Sequence, residues 1–273
     1  MALPSVTTSS DAATPHRSRM TERFTALRAV NRRALVCYVT AGHPSPAASI
    51  ALLRGLEEAG ADIIEVGVPF SDPLADGPVI QGSSQIAIEH GVNLERTLEI
   101  VAEAKLTVPV VLFSYLNPII AAGPGVLARA RAAGVDGVLV TDLPVGADRE
   151  REAWFGASGL DFVRLVAPTT PAVRMAEIGS HGGGFVYLIS RLGVTGERAE
   201  LPVELPETVA RLRAVTDLPI CIGFGISTPE QAKIAAQLGD GVIVGSAIVR
   251  AAGRSIEEAI ALTASMRAAI DEI

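Results

Sequence analysis

The sequence is poor in aromatic residues and in cysteine, and each shortage narrows the class of protein. Aromatic side chains make up 4% of the 273 residues and hydrophobic residues as a whole 49%, so we predict a large, mainly aliphatic core. The only cysteines, Cys37 and Cys221, are too few and too far apart for a disulfide framework or a zinc site. Two isolated thiols fit a reducing compartment, and we predict a cytoplasmic protein.

Long apolar runs are missing as well. No apolar run approaches the length of a membrane span. Residues 1–19 are rich in Ser, Thr, Ala and Pro and lack the apolar centre of a signal peptide. We therefore predict a disordered extension over residues 1–19 and a single domain over residues 20–273. The net charge of −7 argues against general nucleic-acid binding.

What the sequence does contain is an alternation of apolar strands with helices, preceded by a short amphipathic helix from Met20 to Asn31. Eight strand–helix pairs in about 250 residues are typical of a closed parallel barrel, the TIM (β/α)8 fold. A doubly wound open sheet is the alternative, but it usually has a glycine fingerprint after its first strand, which is absent here. At three helix-to-strand joints, Gly60, Gly134 and Gly239 are predicted to end the helix in the left-handed conformation.

The stretch from Ala61 to Pro78 carries the first candidate chemistry. Glu65 interrupts an apolar strand, and a carboxylate that faces a barrel interior is costly unless it has a partner or a function. Asp76 follows on a loop that can fold back over the strand end. Two carboxylates in different settings form a candidate acid/base pair. The alternative is a structural acid at a strand end followed by an ordinary capped loop.

Glycine loops follow the seventh and eighth predicted strands, where TIM barrels often bind phosphate. The seventh strand runs into Gly223, Phe224 and Gly225, and the eighth into Gly245 and Ser246. Bare backbone amides at such glycines suit a phosphate dianion, although glycines also make plain tight turns. We predict a small phosphorylated substrate.

Two further features lie at predicted strand ends. Residues 190–198 form a long loop in which glycines bracket apolar and hydroxyl-bearing residues, which is the composition of a mobile lid or of a plain surface loop. The aromatic residues near one rim indicate a flat aromatic substrate part, or are ordinary core residues: Tyr38, Phe113, Tyr115 and Tyr187.

Metal and Schiff-base chemistry are competing accounts of these residues. The acids Glu65, Asp72, Asp76 and Asp142 are possible magnesium ligands, but the four histidines show no ligand spacing, and we predict no metal site. The predicted strand ends carry no lysine, which argues against a Schiff-base aldolase.

These motifs resemble the alpha subunit family of tryptophan synthase, and the likeness runs from about Met20 to the C-terminus. The segment from Glu65 to Pro78 is similar to that family's signature almost in full, and Tyr187 to Gly196 resembles its sixth strand and closing loop. Residues 223–227 and 245–249 resemble its phosphate site.

The resemblance implies cleavage of 1-C-(indol-3-yl)glycerol 3-phosphate to indole and glyceraldehyde 3-phosphate, with Glu65 and Asp76 as catalytic acids. Tyr187 would lie beside Glu65, and Thr195 on the lid would meet Asp76 on closure. The phosphate would be surrounded by Gly196, Gly223, Phe224, Gly225, Gly245 and Ser246. The indole pocket would be lined by Tyr38, Ile80 and Phe113.

The resemblance also implies a partner. No cofactor is expected in this chain, and pyridoxal phosphate is expected in a beta subunit that receives indole within an alpha2beta2 heterotetramer. Proline and apolar side chains on two predicted rim loops, residues 69–74 and 117–120, are candidates for the contact surface. Three alternatives remain at this point: a stand-alone lyase that releases free indole, a non-catalytic phosphometabolite-binding subunit, and a different phosphate-barrel isomerase.

Overall fold

The computed structural model describes residues 18–190, 202–223 and 225–273. The strands of this part of the chain are β1 (Ala34–Thr40), β2 (Ile63–Gly67), β3 (Val110–Ser114), β4 (Gly137–Val140), β5 (Asp161–Val166), β6 (Val186–Ile189), β7 (Ile220–Gly223) and β8 (Gly241–Val244). The helices are α1 (Arg19–Ala29), α2 (Pro46–Glu58), α3 (Pro78–Glu89), α4 (Leu94–Ala104), α5 (Leu116–Ala121), α6 (Val126–Ala132), α7 (Arg149–Gly156), α8 (Ala172–Ser180), α9 (Leu205–Arg213), α10 (Pro229–Leu238), α11 (Ser246–Ala252) and α12 (Ile256–Ile270).

The eight strands pair in sequence order, all parallel, and β8 pairs with β1 to close the barrel. The predicted TIM barrel is therefore confirmed, with eight strands that are each followed by a helix. Successive side chains along a strand point to opposite faces, so each strand supplies one set to the interior and another to the helices. The larger apolar cluster lies between strands and helices, and the smaller one fills the barrel interior.

Helix α1 closes the N-terminal end of the barrel. Ser18 caps it by accepting a hydrogen bond from the backbone N–H of Thr21, and Met20, Phe24 and Leu27 enter the interior cluster. Helix formation thus begins at Arg19, one residue before the predicted domain start. The remainder of the predicted extension, residues 1–17, lies outside the described residues.

A buried acid ties this end of the barrel together. Asp62, at the entry to β2, is fully buried and accepts hydrogen bonds from Arg267 of α12 and from the backbone N–H of Leu35. Arg23 of α1 contacts its other carboxyl oxygen. In TIM barrels this end serves stability, and the site lies at the opposite rim.

Two local predictions differ from the structure. Residues 117–120, predicted as a rim loop, lie in the short helix α5, where Ile119 is buried and Ile120 is partly exposed. Gly60 and Gly134 have positive φ as predicted, but Gly239 is extended. Gly239 is instead a place of close approach, because a Cβ there would lie 2.9 Å from the carbonyl oxygen of Ile220.

No helix in the described part of the chain is both long and apolar enough to cross a membrane.

Candidate active site

Glu65 lies in β2 with its side chain on the interior face. It is the register partner of Tyr38 in β1 and of Val111 in β3, and it is fully buried. Within the described residues neither carboxyl oxygen has a hydrogen-bond partner. Burial without a partner disfavours the charged form and raises the pKa of Glu65 to about 8. The carboxyl is therefore mostly protonated at neutral pH and can both give and take a proton.

Asp76 lies on the loop between β2 and α3 and faces the same cavity as Glu65. Its carboxylate accepts a hydrogen bond of 3.1 Å from the hydroxyl of Tyr115, which itself accepts one from the backbone N–H of Ala75. The sequence predicts a polar, glycine-bearing loop on which Asp76 stays ionised, but in the structure its carboxyl is partly buried. Burial raises the pKa of Asp76 to about 6, although the Tyr115 bond opposes the shift. At neutral pH Asp76 is still mostly ionised.

One cavity of about 260 Å³ at the C-terminal rim brings most of the candidate residues together. The predicted site residues that line it are Tyr38, Glu65, Asp76, Ile80, Phe113, Tyr187, Gly225, Gly245 and Ser246. Apolar side chains dominate its walls. The rings of Tyr38 and Phe113 meet edge to face, with centroids 5.2 Å apart. Such a cavity suits a flat aromatic group with a few polar contacts.

Two glycines are required by the aromatic side chains beside them. A Cβ at Gly67 would lie 2.1 Å from the hydroxyl oxygen of Tyr38, and a Cβ at Gly223 would lie 2.6 Å from that of Tyr187. Both tyrosines therefore lie directly over a strand that has no side chain at that point. This explains the place of Gly223, which is beneath Tyr187 and does not line the cavity.

The opposite end of the cavity is formed by the loops after β7 and β8. Gly225 has positive φ, and Gly245 precedes the first residue of α11, Ser246. Arg250, one turn further along α11, also lines this end. Backbone amides together with a cation give this end the character of an anion site.

Three predicted site residues, Thr195, Gly196 and Phe224, lie outside the described residues, so their predicted roles stay predictions. Sequence reasoning also missed contributors. Tyr115 was grouped with the rim aromatics as a sign of an aromatic substrate part, whereas in the structure its hydroxyl donates a hydrogen bond to Asp76. Thr141 and Arg250 were not selected, although both line the cavity. The position of Thr141 directly after β4 was the available signal.

A metal site receives no geometric support in the described ranges. There, no three His, Cys, Asp or Glu side chains lie close enough together to hold a metal ion.

Comparisons with known proteins agree on one family. The family model described as tryptophan synthase alpha chain matches residues 24–272. The curated tryptophan synthase alpha chain of Desulfatibacillum aliphaticivorans is 46% identical over 237 residues, or 86% of this chain and 89% of that one.

Solved structures point the same way. The crystal structure of tryptophan synthase subunit alpha from Legionella pneumophila str. Paris is similar with a TM-score of 0.87 at 35% identity, covering 94% of this chain and 100% of that one. A structure of Mycobacterium tuberculosis tryptophan synthase has a TM-score of 0.87 at 38% identity, covering 93% and 99%.

Proposed function

The chain belongs to the tryptophan synthase alpha chain family, and from that premise we propose how its own residues cleave 1-C-(indol-3-yl)glycerol 3-phosphate. The reaction is a carbon–carbon lyase step, a retro-aldol cleavage that gives indole and glyceraldehyde 3-phosphate. The observation that carries the assignment of roles is the Glu65 carboxyl, fully buried and without a partner in the described structure, in one cavity with Asp76.

Cleavage requires a change in the indole ring before the bond breaks. Expulsion of an indole C3 carbanion is unfavourable, whereas protonation at C3 gives an indolenine that accepts the bonding electrons. Glu65, held protonated by its apolar setting, supplies that proton. The resulting carboxylate then takes the proton of the glycerol hydroxyl next to the breaking bond, as the bond electrons return to the ring. Glu65 thereby ends the cycle as it began.

Asp76 balances the charge that this step creates. Protonation at C3 places positive charge at the ring nitrogen N1, and an ionised carboxylate that accepts the N1–H hydrogen bond stabilises it. Tyr115 and the backbone N–H of Ala75 fix the Asp76 loop for this contact. The two acids therefore need opposite protonation states, which their different surroundings provide.

The rest of the cavity divides between the two ends of the substrate. Tyr38, Ile80 and Phe113 form an apolar wall for the indole ring. Gly225, Gly245 and Ser246 supply the phosphate end. The predicted lid contact of Thr195 with Asp76 and the phosphate contacts of Gly196 and Phe224 belong to this proposal as well.

No cofactor is needed for this reaction in the alpha chain, and pyridoxal phosphate belongs to the beta subunit that receives indole. We propose an alpha2beta2 complex working in the cytoplasm, because an apolar product such as indole is best passed on directly. Leu74, on the loop after β2, is 91% exposed, and Ile120 of α5 is partly exposed on the neighbouring element. This pair supports a contact surface for the beta subunit at the active rim. A stand-alone lyase is not favoured.

The assignment is tested by single-turnover indole formation from the purified chain, with and without a beta subunit. Glu65→Gln is nearly isosteric but cannot transfer a proton, so cleavage should almost cease while substrate still binds. Glu58→Gln on the exposed surface of α2 is the matched control and should behave as the wild type. Near-normal turnover in Glu65→Gln would show that the buried acid is structural.

A further inference from the structure

The loop that carries Asp76 folds around the side chain of Tyr115. The Tyr115 hydroxyl donates to Oδ2 of Asp76 at 3.1 Å and accepts from the backbone N–H of Ala75 at 2.8 Å. The ring of Tyr115 packs against that of Phe70 on the same loop, with centroids 5.2 Å apart, and Tyr115 is buried. The position of the Asp76 carboxylate therefore depends on the position of one tyrosine.

A single peptide group fixes the backbone at Tyr115. It joins Tyr115 to Leu116, the first residue of α5. Its carbonyl oxygen accepts from the hydroxyl of Ser114 at 2.9 Å, and its N–H donates to Oδ1 of Asp142 at 2.7 Å. A peptide group is planar, so partners at both of its ends fix its rotation and with it the ψ angle of Tyr115. Asp142 thus acts on Tyr115 from the next strand–helix unit.

Asp142 follows β4 closely and serves α5 as a cap. Strands β3 and β4 pair Ser114 with Val140, and the backbone N–H of Thr141 donates to the carbonyl oxygen of Ser114 at 3.1 Å. Asp142 comes next, beside the first turn of α5. Tyr115, the residue before α5, makes no side-chain cap bond of its own. The carboxylate from the neighbouring strand end therefore satisfies an N–H that the helix itself leaves free.

We propose that Asp142 is a positioning residue for Asp76: its hydrogen bond to the Leu116 N–H holds Tyr115 where the tyrosine hydroxyl meets the Asp76 carboxylate. The inference rests on the proposed function, in which ionised Asp76 stabilises the positive charge at indole N1. Asp142 does not line the cavity, so it acts through Tyr115 and not on the substrate.

The charges around Asp76 give the expected change a definite sign. Burial raises the pKa of Asp76, and the Tyr115 bond lowers it, so a looser Tyr115 raises it further. A direct charge effect of Asp142 has the opposite sign, because removal of a nearby negative charge lowers the pKa of a carboxyl. The other titratable groups near Asp76 stay unchanged in the test: Asp72 on the same loop, and Tyr38, Glu65, Tyr187 and Arg250 around the cavity.

The decisive change is Asp142→Ala, which removes the acceptor of the Leu116 N–H. The pKa of Asp76 should then rise by roughly half a pH unit, which is part of the effect of about one unit expected for a full hydrogen bond to a carboxylate. Asp142→Asn keeps an oxygen acceptor without the charge and should not raise the pKa. Ser114→Ala frees the other end of the same peptide group and should act like Asp142→Ala.

The pKa is read in two ways. Carbon-13 NMR titration follows the carboxyl resonance that is missing in Asp76→Asn, and it needs no activity. The acidic limb of single-turnover indole formation should move to higher pH by the same amount. In a Tyr115→Phe background, which lacks the hydroxyl, Asp142→Ala should have no further effect on either reading.

Asp148→Ala is the matched control. Asp148 caps α7 by accepting from the backbone N–H of Arg151 at 3.0 Å, and it does not line the cavity. Loss of this cap should leave the pKa of Asp76 and the acidic limb at their wild-type values. A shift in this control equal to that of Asp142→Ala would show a general effect of helix capping and would overturn the specific role of Asp142.

The remaining outcomes separate the two proposals. An unchanged or lowered pKa of Asp76 in Asp142→Ala, with the protein folded by circular dichroism, overturns the role of Asp142, and so does a rise that persists in the Tyr115→Phe background. Asp76→Asn would remain inactive in either case, and the proposed function would stand. Near-normal turnover in Asp76→Asn would instead remove the proposed function itself.

Discussion

The buried carboxyl of Glu65 should cost the fold stability, and the cost should depend on pH. Its pKa is about 8 in the folded chain against an ordinary value of 4.5. The folded state therefore binds this proton more tightly than the unfolded state, so the contribution of Glu65 to stability is largest below about pH 4.5 and is lost as pH rises through about 8. At one pKa unit per 1.36 kcal/mol, the full loss is on the order of 5 kcal/mol. Glu65→Gln removes the titration.

The measurement is equilibrium urea unfolding, followed by circular dichroism, for the wild type and Glu65→Gln. Between about pH 5.5 and about pH 8.5 the free energy of unfolding of the variant relative to the wild type should rise by roughly 3 kcal/mol. Other titrating groups cancel in this difference. Glu58→Gln, at an exposed position of α2, should show no such trend. If the Glu65→Gln and wild-type curves stay parallel with pH, the carboxyl is not held protonated and the reasoning about its role fails.

Three other contacts yield predictions of their own. Tyr115→Phe removes the hydrogen bond that opposes the rise in the pKa of Asp76, so the acidic limb of the pH–rate profile should move to higher pH, while a limb that belongs to the substrate phosphate would stay. Asp62→Asn removes the buried charge partner of Arg267 and leaves it only the more exposed Asp271. It should lower the free energy of unfolding by roughly 3 kcal/mol, the lower end of the range for a broken buried ion pair, with turnover of the folded protein unchanged, as measured by urea unfolding and indole formation. Gly245→Asp places a negative side chain at the phosphate end, so calorimetry should show weaker binding of glycerol phosphate with an unchanged circular dichroism spectrum. Equal affinity would place the phosphate elsewhere.

The fold was predictable because it repeats a simple pattern. A chain of short apolar strands that are each followed by a helix can adopt only a few topologies. Eight parallel strands joined by right-handed connections form a closed barrel. The sequence predicts strands over residues 137–140, 161–166 and 241–244, and β4, β5 and β8 have these bounds. They were predictable because glycine or an acid marks the start of each strand and a polar or small residue follows its end. Helix α5 was missed because Pro118 in a short apolar segment is typical of a loop. Proline is tolerated there in the first turn of a helix.

The candidate site was predictable at the level of residue type and strand end. The sequence placed Glu65 on a strand and Asp76 on the following loop, and the barrel brings both to one cavity. What it did not contain was the electrostatic setting of Asp76. A loop with prolines and glycines reads as solvated, but in the fold it lies against Tyr115 from the next strand–helix unit. Burial by a neighbour distant in sequence is a tertiary property, so the raised pKa of Asp76 was not predictable from its own loop.

Strand β2 and Asp62, the residue before it, show why the tertiary surroundings of an acid decide its function. Asp62 and Glu65 are both fully buried acids in the same apolar stretch, three positions apart (65 minus 62). Asp62 meets Arg267 of α12, which lies 205 residues away in sequence, and Arg23 of α1, so its charge is matched. Glu65 meets the aromatic residues of the opposite rim, and no cation in the described part of the chain lowers its pKa. Hydrophobic patterning alone treats the two alike, since each is a polar break in a strand. The closed barrel separates them by supplying arginines at one end and an apolar cavity at the other, so one acid stabilises the fold and the other is left with its proton to transfer.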